Sequence, residues 1–519
     1  MNSLGPPENV HNSHLAFACP AELHWKVIQQ HVRREEIHAG CHRRFVPSFW
    51  YGWIFRKTPM RAWHVLSVIA VLQLAGGSAS AQRSSTERAL PSRQLLSRYG
   101  LELAWWGQGV LNPARDTVEH LTADEDCVFV QSTSGIVTAF DALTGQKRWA
   151  VLLGQYDPPS FPVVTNEDMA LVVVGTRMYS VDKLSGKTLW ELRLPGQPTT
   201  APAADEHHVY VGMLDGSLYA FDLKKIHKLF RQGLLPEWSY QTVAWRYATA
   251  KEISSPPLIF NSRICMASRD GNVYAVSTDY RKLVFQFETD APIVAPIARA
   301  GDLLYVASED YSFYALRVRA TEAFKAKDQA AGSIFVEQSM RKDTASGKVV
   351  WEFTSGRPIR KAPFPIGTDI FLMPDRGGMV CLDAKAGFQK WPNAQLQAEN
   401  FVAATSRTVY ATDRERNLML LSRSTGDIQG SLPMQRFSVR FGNNRTDRIV
   451  LSTDSGLVVV LRETGKVIPT FHMYPDRLPI VPDFASEDGD GPAEGEMPTN
   501  EEGEMPAGEE AAPEAATEE

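Results

Sequence analysis

The stretch Ala201-Pro-Ala-Ala-Asp-Glu-His-His-Val-Tyr-Val-Gly-Met-Leu-Asp-Gly-Ser-Leu-Tyr-Ala-Phe-Asp222 decides how the rest of the chain is read. Val209-Tyr-Val and Leu218-Tyr-Ala-Phe221 are β-branched and aromatic runs suited to a pleated surface. Asp215-Gly216 between them supplies the turn that needs positive φ. The same hairpin recurs as Ile264-Cys-Met-Ala-Ser-Arg-Asp-Gly-Asn-Val-Tyr-Ala275 and as Leu304-Tyr-Val-Ala-Ser-Glu-Asp-Tyr-Ser-Phe-Tyr-Ala315. Weaker copies lie at 127–141, 170–182, 370–383, 409–422 and 449–462, which makes eight units of about 40 residues each.

Each unit predicts a four-stranded antiparallel meander, which cannot cover both of its own faces. Radial packing of sheet on sheet does so, and the expected fold is all-β: an eight-bladed β-propeller over residues 99–470. An outer-strand series gives an independent count, with Trp105, Trp149, Trp190, Trp245, Phe287, Trp351, Trp391 and the vicinity of Gly430 in corresponding places. Leu101-Glu-Leu-Ala-Trp-Trp106 precedes any complete set of inner strands, whereas the last set, ending at Arg462, lacks a Trp-bearing fourth strand. The N-terminal strand is therefore expected to join the last blade and close the ring, which removes an exposed sheet edge.

The segment Ala139-Phe-Asp-Ala-Leu-Thr-Gly-Gln-Lys-Arg-Trp149 resembles the Ala-x-Asp-x-x-Thr-Gly-x-x-x-Trp motif of PQQ-like (quinoprotein-type) β-propeller repeat proteins. Variants follow at Asp182-Lys-Leu-Ser-Gly-Lys-Thr-Leu-Trp190, Ser346-Gly-Lys-Val-Val-Trp351 and Asp383-Ala-Lys-Ala-Gly-Phe-Gln-Lys-Trp391. The resemblance implies that these residues dock blade on blade. It assigns that structural role to Asp141, Thr144, Gly145, Trp149, Asp182, Gly186, Trp190, Gly347, Trp351, Asp383, Gly387 and Trp391.

The apolar run Val65–Ala75 follows Met60-Arg61 and ends in Gly76-Gly-Ser-Ala-Ser-Ala81, the order of a secretory signal with cleavage before Gln82. Residues 60–81 are read as that signal and the chain as periplasmic or otherwise exported. Residues 1–59 are read as an upstream extension from a misplaced start. The alternative is a membrane-anchored chain with a basic cytoplasmic segment, although the run is short for a stable transmembrane helix. Residues 483–519 hold 14 Asp or Glu and no Lys or Arg, and predict a disordered acidic tail, either solubilising or a charged tether. Without the tail and residues 1–81 the body is nearly neutral, which argues against nucleic-acid binding.

Cys127, Cys265 and Cys381 lie far apart in β-rich runs and read as buried thiols, not disulfides or metal ligands. The adjacent pair His207-His208 would point to opposite faces of a strand and reads as an exposed strand start. Neither a Gly-x-Ser-x-Gly elbow nor His-x-x-x-His spacing occurs after Met60. The sequence thus offers no candidate catalytic residue, no metal ligand and no cofactor.

Two insertions fall between third and outer strands: Lys225–Ser239, expected to be a short amphipathic helix with Ile226, Leu229 and Phe230 on one face, and an Ala-rich segment at 321–338. Each is decoration or a docking surface. The resemblance extends to BamB-like propellers. It implies a non-catalytic protein-binding scaffold in the cell envelope, with an envelope or outer-membrane protein as partner. The alternatives are a PQQ-dependent dehydrogenase with a divergent active site and a propeller that binds a small ligand in its axial funnel.

Overall fold

In the computed structural model, residues 90–154, 158–318, 347–473 and 475–476 are described. The signal segment at 60–81, the extension 1–59, the insertion at 321–338 and the acidic tail from Asp483 lie outside the described residues.

Eight antiparallel sheets follow one another along the chain, seven with four strands and one with three. We call them blades 1 to 8, starting with residues 118–152 and ending with 439–463. The strand Leu101–Gln108 precedes blade 1 in sequence but pairs with Leu457–Glu463, so it supplies the fourth strand of blade 8. First strands of adjacent blades touch one another, as Ala298–Ala300 does with Phe364–Ile366, and form the innermost layer.

Burial follows from this stacking. Second and third strands are covered on both faces by neighbouring blades, so Cys127–Ser132, Met169–Val174 and Asn272–Ser277 are buried at every position. Such strands read as continuous apolar runs, because neither face meets water. Fourth strands are half covered and alternate, as in Lys147–Leu152 and Leu283–Glu288.

Blade 6 departs from the expected four strands. It has only Phe364–Ile366, Asp369–Leu372 and Val380–Asp383, followed by isolated bridges at Gln389 and Gln395. Pro392 falls where the outer strand would run, and its missing N–H interrupts the ladder.

The insertion in blade 3 opens with the helix α1, Leu223–Arg231, capped by Asp222, whose Oδ1 accepts from Lys225 N at 3.1 Å. That cap sets the phase, and Leu223, Ile226 and Leu229 face the core. Phe230 was expected on the buried face but is 43% exposed.

Candidate functional site: docking turns and a cationic groove

In seven blades the pairing of third and fourth strands carries a bulge at one place, just before the aromatic position. The bulge re-aims the outer side chain toward the next blade. Across the ladder stands a small residue in most blades: Ala139 opposite Trp149, Ser180 opposite Trp190, Ala220 opposite Trp245, Ala275 opposite Phe285, Ala315 opposite Trp351. The aromatic in blade 4 is therefore Phe285. Phe287 sits one pleat further along.

Five of the aromatics rest on the motif glycine of the following blade. A Cβ on Gly145 would lie 2.5 Å from Trp105, one on Gly186 2.5 Å from Trp149, and one on Gly347 2.6 Å from Phe285. Gly387 meets Trp351 and Gly426 meets Trp391 in the same way, at 2.4 and 2.6 Å. These glycines have positive φ, so both the turn and the overlying ring require the missing side chain.

Asp141 Oδ1 accepts from the backbone and hydroxyl of Thr144 (2.7 and 2.8 Å), Asp182 holds Ser185 likewise, and Asp383 caps Lys385 and Ala386. The indole N–H groups of Trp105, Trp149, Trp351 and Trp391 donate to Ala142, Lys183, Ala384 and Arg423 carbonyls of the next blade. Blade 7 has Gly430 in the aromatic place. Tyr99, after the helix α0 formed by Arg93–Arg98, fills the gap from outside.

Blades 1 and 2 are also joined by a buried ion triad. Lys183 Nζ is 2.8 Å from both Asp124 and Asp126. Burial pushes the Asp124 pKa up, but the Lys183 charge and its hydrogen bond outweigh it and hold the carboxyl below its usual range. Burial drives the thiols of Cys127, Cys265 and Cys381 up to about 12, so they stay protonated and inert. His207 is exposed and His208 begins the strand His208–Gly212.

At the end of the blades opposite the motif turns, blades 5 to 8 form a groove that sequence reading missed. Its outer part, about 410 Å³, lies among Arg357, Arg360, Lys361, Arg376 and Arg414. Its inner part, about 400 Å³, shares Lys361 and Met373 and reaches the innermost strands at Phe364, Phe401 and Arg440. Arg360 is paired with Glu309 and Asp375, and Arg414 with Glu399. Lys361 donates to the Glu399 carbonyl and to Asn400. Burial, then the neighbouring Arg416 charge, lowers the Arg440 pKa from its ordinary value. Cations press on one another here, and the groove favours an anionic occupant.

Arg416 occupies the place that Gly271 takes in blade 4, with φ 66°, and Arg376 has φ 56°. A left-handed non-glycine costs roughly 1–2 kcal/mol. The fold gains nothing from arginine at the tip of that turn. Leu396, 70% exposed, adds an apolar lip.

The family model described as outer membrane protein assembly factor BamB matches residues 133–243 and 330–470. Over these segments the chain is similar to PQQ-like β-propeller repeat proteins. The crystal structure of BamB from Moraxella catarrhalis is similar to this PQQ-like propeller with a TM-score of 0.51 at 14% identity, over 70% of this chain and 98% of that one. The computationally designed Ika8 protein is similar with a TM-score of 0.50 at 13% identity, over 68% and 99%. Likeness at this identity concerns the fold. No curated protein matches the chain in sequence.

The quinone in the family's name can be tested against the residues present. A calcium-bound quinone needs carboxylate or carbonyl oxygens on the metal. The inner groove instead presents Lys361 and Arg440, with Asn400 and Ser438, and no carboxylate lines it. Among the described residues no group of three or more His, Cys, Asp or Glu is placed to hold a metal. The PQQ-like propeller does not fit calcium-bound quinone there.

Proposed function

We propose that this PQQ-like propeller is an exported, non-catalytic scaffold of the cell envelope that docks an outer-membrane assembly protein through the cationic groove. The groove carries this reading: arginines exposed at the tips of blades 6 and 7, an apolar lip at Leu396, and a recess that reaches the innermost strands. The match to a family described as an outer-membrane assembly factor supports the choice of partner. The buried thiols and the Asp-bonded turns leave those groups to the fold, which supports a binding role over a catalytic one. Among the described residues no helix is long and apolar enough to cross a membrane.

The test is a photo-crosslinking residue placed at Leu396 in the full chain, expressed in its native cells. One envelope protein should be captured, capture should fail with R376E/R416E, and the mature N-terminus should be Gln82. Equal capture from Ile428, exposed but remote in sequence and on an outer strand, would refute the groove. Binding of quinone and calcium with dye reduction would refute the non-catalytic role.

A second reading rests on the inner cavity, where stacked Phe364 and Phe401 rings, 4.6 Å between centroids, adjoin Lys361 and Arg440. A small aromatic anion would fit that chemistry. Thermal stabilisation by such ligands, lost with Lys361→Met, would support it.

A further inference from the structure

The blade 3 insertion replaces the tight turn found in blades 1, 2, 4, 6 and 7 with α1, a loop, and the 3-10 helix Ser239–Thr242. Its inward side docks on blade 2, where Leu223 and Ile226 pack with Trp190 and Leu192, and Ser239 Oγ accepts from Arg193 N at 2.9 Å. Trp190, fully buried, would donate to the turn carbonyl that Trp149 finds in Lys183. Its Nε1 has no hydrogen-bond partner among the described residues. Docking blade 3 on blade 2 accounts for the inward side of the insertion and leaves its outward side unexplained.

Its outward side has a definite chemistry. Lys224, Lys225, Lys228 and Arg231 are exposed, and between residues 223 and 242 the one acidic residue is Glu237. Two of those lysines stand in the first turn of α1, where no acidic residue is present. Cations are unfavourable beside the positive end of a helix, so helix stability does not explain them.

Among these cations Phe230, Trp238 and Tyr240 are 43%, 42% and 69% exposed. The Trp238 and Tyr240 rings stack at 6.2 Å. Backbone bonds from Leu234 N to Leu229 O and from Trp238 N to Leu234 O fold the loop back on the helix end, which keeps the aromatics close together.

Amphipathic aromatic rings set among lysines and arginines suit the boundary of an anionic bilayer, where the rings sit at headgroup depth and the cations meet phosphate. We infer that the blade 3 insertion, residues 223–242, is a peripheral docking site for an anionic phospholipid surface. An acidic protein would satisfy the lysines but not this set of solvent-facing rings. The insertion lies at the motif-turn end of the blades and the groove at the other. A lipid-bound chain keeps its groove open, and this inference stands independently of the proposed partner.

The full chain should float with vesicles of phosphatidylcholine and phosphatidylglycerol at low salt and not with phosphatidylcholine alone. Each cation reversed in the series K224E, K225E, K228E and R231E should lower partitioning about five-fold or more, and W238S/Y240S about ten-fold or more. These side chains are exposed, so unchanged circular dichroism and melting are expected. Brominated lipid should quench fluorescence in the wild type, and the quenching should fall with Trp238→Phe. Vesicle binding unaffected by these changes, or no binding at all, would overturn the inference. So would binding to soluble polyglutamate as tight as to vesicles with no quenching by brominated lipid.

Discussion

Trp149 and Trp190 occupy the same register position in adjacent blades, opposite Ala139 and Ser180, yet only one has a hydrogen bond. Trp149 Nε1 donates to Lys183 O at 3.0 Å, and Trp190 Nε1 is buried without a partner. Substitution of either by Phe removes on the order of 40 Å³, which at about 24 cal/mol per Å³ costs ~1 kcal/mol. At Trp149 the change also strips Lys183 O of its main donor and leaves only the weak Cys127 thiol at 3.9 Å. That adds about 1–3 kcal/mol, so Trp149→Phe should cost ~2–4 kcal/mol. At Trp190 the change removes a donor that is already unsatisfied. The desolvation relieved, about 1–3 kcal/mol, offsets the cavity, and Trp190→Phe should be neutral or stabilising by up to ~2 kcal/mol. Urea unfolding of the full chain followed by circular dichroism measures the gap as a midpoint difference at a common slope. A loss at Trp190→Phe equal to that at Trp149→Phe would refute the assignment of the hydrogen bond as the difference between these blades.

Gly145→Ala, at φ 74° with its new methyl inside the Trp105 ring, should destabilise by about 2–5 kcal/mol. Arg281→Gly, at the equivalent turn with φ 57°, should be neutral to about 1 kcal/mol stabilising, as read from melting. Lys183→Met should cost about 3–5 kcal/mol at pH 7, because it leaves Asp124 and Asp126 buried without their cation. The Asp124 pKa is lowered in the folded wild type, so its contribution is present above the unfolded pKa near 4 and is lost as pH falls through the folded value; the variant should instead gain stability as pH falls from 7 toward 5. Arg416→Gly should raise stability by up to about 1 kcal/mol while lowering capture of the groove's partner, measured by melting and by crosslinking from Leu396.

The ring was legible because its physics repeats. Strands covered on both faces must be apolar throughout, as in Met169–Val174, and tight turns must carry residues that accept positive φ, as at Gly216 and Gly271. What failed did so for local reasons. Phe285 and Phe287 share one face of a strand, and alternation cannot choose between them; the bulge after Ala275 does. Phe230 was placed inward from apolar spacing alone, but the Asp222 cap starts the helix at Leu223 and turns the Leu223, Ile226, Leu229 series to the core. The three-stranded sixth blade was written in Pro392, whose effect depends on its position in the ladder. The groove was invisible, since its cations come from separate turns at 357–361, 376, 414–416 and 440 that only the ring brings together.

Departures from the repeat fall into two kinds, and the distinction bears on function. Some are compensated within the fold. Gly430 lacks the docking ring, but Tyr99 fills its place. Blade 6 lacks a regular outer strand, yet Trp391 still rests on Gly426 and donates to Arg423 O at 2.9 Å. Others carry a cost: an arginine held left-handed at residue 416, a buried indole N–H at Trp190 without an acceptor, and two lysines at the positive end of α1, beside the capping Asp222. Sites that keep strain without structural return are where binding is expected to supply the compensation. The first and the last of these lie on cationic surfaces, one at each end of the blades. The occupants they call for are therefore anionic, and they differ in kind. The groove is recessed and lined by inner strands, which suits an extended chain, whereas the insertion presents exposed rings, which suit a surface.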